Sequence, residues 1–207
     1  MKILISITLT LLLALPVSAQ TFTLGVDLSG SNPLLRHGNF AHVASQYVSQ
    51  EIHRLKDGDV VVIKTFGATA NARNVLSNRY VITRKLKASK IAAIVARYLQ
   101  SLPAQTDASQ NQTNLIAFME FTSFGCREGR AQVLLITDGL EYSELVDGNK
   151  LLNGKQGLPP AEVELTGCDV TFYGLGAGFS PTSIRFLRNE WRNWFKPTGA
   201  NFVAVIP

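Results

Sequence analysis

Short, nearly continuous apolar runs alternate along this chain with longer stretches whose apolar residues recur every three or four positions. The first pattern marks buried strands and the second marks helices that bury one stripe. Phe22 to Val26 is the first run. Beyond Pro33 and Gly38, the residues Phe40, Val43, Ala44, Tyr47, Val48, Ile52 and Leu55 fall at helical spacing, and Asp57-Gly58 closes that helix as a turn. Val60 to Phe66, broken only by Lys64, predicts a strand buried on both faces. Gly67 to Asn78 reads as polar loop, and Tyr80 to Thr83 as a short edge strand. A second helix is expected from Ser89, its N-cap, to Leu102, with Pro103 as the stop.

Ala104 to Gln112 is a polar loop with no apolar anchor, and a third helix is expected from Thr113 to Phe124. Val133 to Ile136 is the most apolar strand and runs directly into Thr137-Asp138-Gly139. Glu141 to Gly167 is rich in Gly and Pro, so we expect one helical turn near Glu141 to Val146 and then irregular chain. Asp169 to Tyr173 is a further strand, closed by Gly174, Gly176 and Gly178. Ser180-Pro181 supplies an N-cap and a first helical residue, and Ile184, Leu187, Trp191 and Trp194 share one face of the helix that follows. Phe202 to Ile206 is the last strand. Strands alternating with helices of this length imply an α/β fold, a doubly wound and mostly parallel sheet flanked by helices. Pattern alone leaves the strand order open.

Residues 1 to 19 stand apart from this alternation. Lys2, the apolar run Ile3 to Leu15 and the small residues Val17-Ser18-Ala19 have the form of a secretory signal peptide. We expect cleavage after Ala19, export to the periplasm or the medium, and one domain over residues 20 to 207. The apolar run is short for a bilayer and no later segment could span one, so no stable membrane insertion is expected. No Cys follows the cleavage site, which argues against a lipoprotein anchor.

Charge changes the picture little. The 207 residues carry a formal charge of +5, and loss of Lys2 lowers it to about +4. The basic residues are spread out, in loose groups such as Arg84, Lys85, Lys87 and Lys90, and Arg185, Arg188 and Arg192. These read as solvated helix faces, and no nucleic-acid partner is expected without denser clustering and interleaved aromatics. Cys126 and Cys168 each stand just before an expected strand. In an oxidising compartment such a pair tends to form a disulfide, here closing a loop of about 40 residues. Two buried free thiols are the alternative. A metal role suits them poorly, because the three His residues lie far off in sequence.

The candidate chemistry starts at Asp27-Leu28-Ser29-Gly30-Ser31, where a strand ends and a helix is about to begin. In an open α/β sheet ligands bind at that edge. Asp138 follows a later strand in the same way, and Thr113 opens a helix after a polar loop. All strand carboxyl ends of a parallel sheet share one edge, so the five residues can converge. Two carboxylates and three hydroxyls form an all-oxygen set, suited to a hard ion that takes six oxygens and keeps waters. With part of its shell supplied by water, such an ion can accept one more oxygen from a partner.

This arrangement resembles the von Willebrand factor A domain and its metal-ion-dependent adhesion site, whose motif is Asp-x-Ser-x-Ser, a later Thr and a Thr-Asp-Gly-like turn. The resemblance covers Thr21 to Pro207 and rests on Asp27, Ser29, Ser31, Thr113 and Asp138, flanked by Thr137 and Gly139. It implies a six-stranded sheet ordered 3-2-1-4-5-6 with the third strand antiparallel. It implies Mg²⁺, or Mn²⁺ or Ca²⁺, held directly by Ser29 and Ser31. Thr113, Asp27 and Asp138 would act directly or through water. It also implies a protein partner that brings an Asp or Glu to the ion. Its strand order puts the strands after Cys126 and Cys168 side by side, which favours the disulfide. Two features depart from the family: Asn111-Gln112 precede Thr113 where Gly is common, and no final helix follows the last strand. We expect a partner, or a second copy by self-association, to cover that face, unless the helix of Trp191 and Trp194 suffices.

Asn111-Gln112-Thr113 also matches a glycosylation sequon, a reading disfavoured by the bacterial character of the leader. A serine hydrolase is disfavoured because His37, His42 and His53 all lie in or beside the first helix and no Gly-x-Ser-x-Gly elbow is present. No phosphate loop of the Gly-x4-Gly-Lys type occurs, and the glycines at 174, 176 and 178 lack the full dinucleotide fingerprint. The leading expectation is therefore a non-enzymatic, metal-dependent adhesion module. The alternative is a structural subunit of an envelope or secretion assembly whose metal is not essential.

Overall fold

The computed structural model of the chain describes residues 19–68, 74, 77–105, 109–127 and 131–207. The expected leader, apart from Ala19, and parts of the loops expected over 67–78 and 104–112 lie outside the described residues. Six strands form one sheet: β1 (Thr21–Asp27), β2 (Val60–Phe66), β3 (Ser77–Val81), β4 (Ala131–Ile136), β5 (Cys168–Tyr173) and β6 (Asn201–Val205), in the order β3-β2-β1-β4-β5-β6. All neighbours are parallel except β2 and β3. This is the order that the resemblance implied. No helix among the described residues is long and apolar enough to cross a membrane.

Helices α1 (Gly38–His53) and α2 (Ala88–Ser101) cover one face, and α3 (Leu115–Phe121), α4 (Gly148–Leu152) and α5 (Pro181–Phe195) belong to the other. The pleat of β1 sorts its side chains between the two layers. Phe22, Leu24 and Val26 enter the core under α1 and α2. Gly25 points the opposite way, where a Cβ would collide with Leu135 and lie 3.1 Å from Phe118. Glycine at this position lets α3 approach the central strand.

Several boundaries differ from those expected. The antiparallel edge strand lies at Ser77–Val81, where Val60 pairs with Val81 and Lys64 with Ser77. Its side chains are almost all exposed, so its first residues carry no apolar signal and the expected strand at Tyr80 to Thr83 overlaps it only at Tyr80 and Val81. Helix α2 begins at Ala88 with Lys87 at its cap, two residues ahead of the expected cap Ser89. The helical turn expected near Glu141 to Val146 is instead α4, started by Asp147, whose carboxylate accepts from the Asn149 and Lys150 amides. Helix α3 is shorter than expected, and Thr113 stands before it in an extended bridge to Tyr142. On α5, Arg185 and Arg192 are exposed as expected, whereas Arg188 is half-buried. Cys126 and Cys168 form a disulfide where β5 starts, at the opposite end of the sheet from Asp138.

Candidate metal centre

Asp27 is the last residue of β1 and is fully buried. One of its oxygens accepts from the Ser29 amide at 2.8 Å, the local turn that Asp favours where a strand ends. The other accepts from the Thr137 hydroxyl at 2.7 Å. The Ser29 and Ser31 hydroxyls lie 3.3 Å apart, so the Asp-x-Ser-x-Ser segment folds back on itself and presents both oxygens together. Asn32 then fixes the crest. Its amide donates to the carbonyls of Asp27 at 2.8 Å and Ile136 at 3.1 Å, tying together the ends of β1 and β4. Its side-chain oxygen caps a 3-10 turn at Pro33–Leu35.

Asp138 follows β4 directly and is also fully buried. One oxygen accepts from the Leu140 amide at 2.9 Å. Its Oδ2 is buried without a hydrogen bond, although the Ser31 hydroxyl is close enough to favour the charged form. Gly139 turns the chain with φ +76°, and the Trp191 indole donates to its carbonyl at 2.7 Å, so α5 holds this turn from below.

Electrostatics set these two carboxyls apart. Burial, and then the negative charge of Asp138, push the Asp27 carboxyl well above the usual range, against the bonds from Thr137 and Ser29. Burial likewise raises Asp138, against the Leu140 amide, the Ser31 hydroxyl and the charge of Arg36. Two carboxylates in one dry site repel, and a cation between them would reverse both shifts.

Thr113 belongs to the same crest, and the hydrogen bonds that place it run through its backbone. Its amide donates to Tyr142 at 2.9 Å, and the Tyr142 amide donates back at 3.0 Å. Glu141 reinforces this join: it is buried, and one of its oxygens accepts from the Leu115 and Ile116 amides at 2.8 and 3.0 Å. Burial pushes its carboxyl up to about 7, against bonds from Ser143, Ile116 and Leu115. The loop after Asp138 and the loop of Thr113 are therefore one unit. We expect Glu141→Ala to lower stability by about 2 kcal/mol and to speed hydrogen exchange at the Leu115 and Ile116 amides, whereas Glu141→Gln keeps an acceptor and changes both less. Equal effects of the two substitutions would mean that Glu141 does not act through those amides.

Gln110 is the anchor that its polar loop did not announce. It is buried, exchanges backbone bonds with Leu28 and Gly30 at 2.8 and 2.7 Å, and its side-chain oxygen accepts from Ala68 at 2.6 Å. Beside it opens a cleft of about 750 Å³, lined by Ser109, Gln110, Gln112, Tyr142 and Ser143 among others. Sequence reasoning passed over Asn32, Gln110 and Glu141, and it placed Trp191 on a helix face without its bond to the Gly139 turn. Each is a polar residue, or an indole N–H, that acts on a distant segment. His37 and His42 are exposed on or beside α1, as expected of surface residues.

The donor set fits a hard divalent ion. Asp27, Ser29, Ser31 and Asp138 converge, every donor is oxygen, and one buried carboxylate oxygen lacks a partner. Among the described residues no three His, Cys, Asp or Glu side chains cluster. The candidate set has only two carboxylates and completes itself with hydroxyls. No protein-family model matches this chain, and no curated protein matches it.

Proposed function

We propose that the chain is an exported binding module of the von Willebrand factor A type. In this reading it holds Mg²⁺, or Mn²⁺ or Ca²⁺, at Asp27, Ser29, Ser31, Thr113 and Asp138. The ion then accepts an Asp or Glu from a protein partner. The observation that carries this is the buried, unpartnered Oδ2 of Asp138 beside a second buried carboxylate. Dry carboxylates are costly to ionise without a counter-charge, and a divalent ion supplies that charge together with an open position for an outside oxygen. The Cys126–Cys168 disulfide supports export, because such bonds persist in oxidising compartments.

Calorimetric titration of Mg²⁺ and Mn²⁺ into chelator-treated protein tests the reading. Saturable binding by the wild type and none by Asp138→Ala is the expected result. Absence of binding by the wild type would overturn it.

A second reading, a structural subunit with a dispensable ion, draws on the edge strand β6, where Val203 and the adjoining Ile206 are about half exposed. It predicts that Asp138→Ala assembles with its partner as well as the wild type does.

A further inference from the structure

Arg36 stands at the rim of the candidate site and has no assigned task. It follows the 3-10 turn whose residues Pro33, Leu34 and Leu35 are buried, and its amide donates to the Pro33 carbonyl at 3.1 Å. Its base is therefore fixed while its side chain is exposed. The head turns toward the serines. A Cβ built on Gly30, between Ser29 and Ser31, would lie 3.8 Å from Arg36 Nη2, 2.6 Å from Ser109 Oγ and 3.4 Å from the Gln110 carbonyl. Glycine lets Ser109 and the Gln110 carbonyl close against the segment there, with the guanidinium on a further side. The charge of Arg36 is also felt at buried Asp138. The ion pairs among the described residues join Arg54 to Glu51, Arg127 to Glu164 and Lys150 to Asp147, and none engages Arg36.

Charge balance indicates what Arg36 is for. Asp27 and Asp138, both ionised, neutralise one divalent ion. An incoming carboxylate adds a negative charge that those three groups leave unmatched, and a carboxylate bound to a metal through one oxygen has a second to place. A guanidinium forks toward such oxygens and stays charged at any physiological pH.

We infer that Arg36 is a specificity-determining residue for the partner, receiving one oxygen of the incoming carboxylate while the other reaches the cation. The inference rests on the metal-site reading above and adds to it the kind of ligand preferred: a monocarboxylate side chain whose second oxygen is free, presented on the Arg36 side of the two serines. An amide ligand would gain nothing from the guanidinium.

Mn²⁺ and a capped glycyl-aspartyl-glycine peptide are the probes. Free Mn²⁺ is followed by electron paramagnetic resonance, and peptide binding to the Mn²⁺-loaded protein by calorimetry. In Arg36→Gln the two affinities should move in opposite directions. Mn²⁺ should bind up to several-fold tighter, because a like charge has left. The peptide should bind about ten-fold more weakly. Arg36→Lys should recover only part of the peptide affinity, since an ammonium lacks the fork. The asparaginyl peptide should bind weakly to wild type and variant alike. Equal peptide binding by Arg36→Gln and wild type would overturn the inference. So would a loss of Mn²⁺ affinity matching the loss of peptide affinity, which marks a structural role, or a Mn²⁺-loaded wild type that ignores the peptide. A wild type that takes up no Mn²⁺ overturns the metal-site reading itself, and the inference falls with it.

Discussion

Stripped of divalent ions, the protein is expected to lose stability as pH rises from about 4 to about 7, and saturating Mg²⁺ is expected to remove much of that loss. The sign follows from the two buried carboxyls. Asp27 is raised from 3.8 to about 7 and Asp138 from 3.8 to about 6, chiefly by burial. Well below pH 4 each is protonated in both the folded and the unfolded chain, so neither alters stability. Above that, the unfolded chain releases its protons first, and the folded state pays for holding or ionising its own until the folded values are passed. Because the two titrate together, the penalty belongs to the pair, and it is on the order of 3 kcal/mol. For a chain of this length that is roughly 10 °C in melting temperature. If the proposed site holds Mg²⁺, the ion would bind the ionised pair, and at a hundred times its dissociation constant it would add about 2.7 kcal/mol. Glu141 contributes a drop of the same sign that Mg²⁺ does not remove, so the Mg²⁺-dependent part isolates the pair. Melting curves from pH 4.5 to 7.5, with chelator or with Mg²⁺, measure it. A chelated protein whose melting temperature holds level across that range would contradict the argument.

Removal of the disulfide is expected to cost about 3–4 kcal/mol, because Cys126 and Cys168 are 42 residues apart and the bond restricts the unfolded chain more as its loop lengthens. The loop contains β4, Asp138 and the clamp at Glu141, so its closure helps to hold both sheet and crest. Cys168 is buried and Cys126 partly so, and the double Ser variant would add a polar atom at a packed position. Cys126→Ala with Cys168→Ala is the cleaner test. Urea midpoints of this variant and of the oxidised wild type measure the difference. An unmoved midpoint would show that other bonds at the same end suffice, such as Leu165 N–H to the Thr198 carbonyl at 2.7 Å.

The parallel core of the sheet was legible because β1, β2, β4 and β5 are buried in the middle of the fold, and a strand covered on both faces must be apolar nearly throughout. The edge strand β3 meets no such demand: its polar start at Ser77 and Asn78 looks like loop, and only Tyr80 and Val81 signalled a strand there. The third helix was overdrawn for a related reason. Leu115, Ile116, Phe118 and Met119 mark its stripe, but nothing local says that Thr113 is held in an extended pair by Tyr142. Within the candidate site, Asp27, Ser29, Ser31 and Asp138 could be singled out because each sits at a strand end in a short recognisable string. Asn32, Gln110 and Glu141 could not. Each satisfies amides or carbonyls contributed by a distant segment, and a buried polar residue in a polar loop looks no different from an exposed one until the partners are in place.

The placement of the crest also has a mechanical side. Asp27 ends a strand that is flanked by parallel neighbours over seven residue pairs with β2 and six with β4. A pull on the Asp27–Ser31 segment along the strand axis loads both ladders in shear, so their bonds must fail together rather than one after another. Asn32 shares that load with β4 through the Ile136 carbonyl, and at the far end the disulfide keeps β5 joined to the segment that leads into β4. A load applied at this edge is therefore spread over both ladders instead of being taken by a single bond.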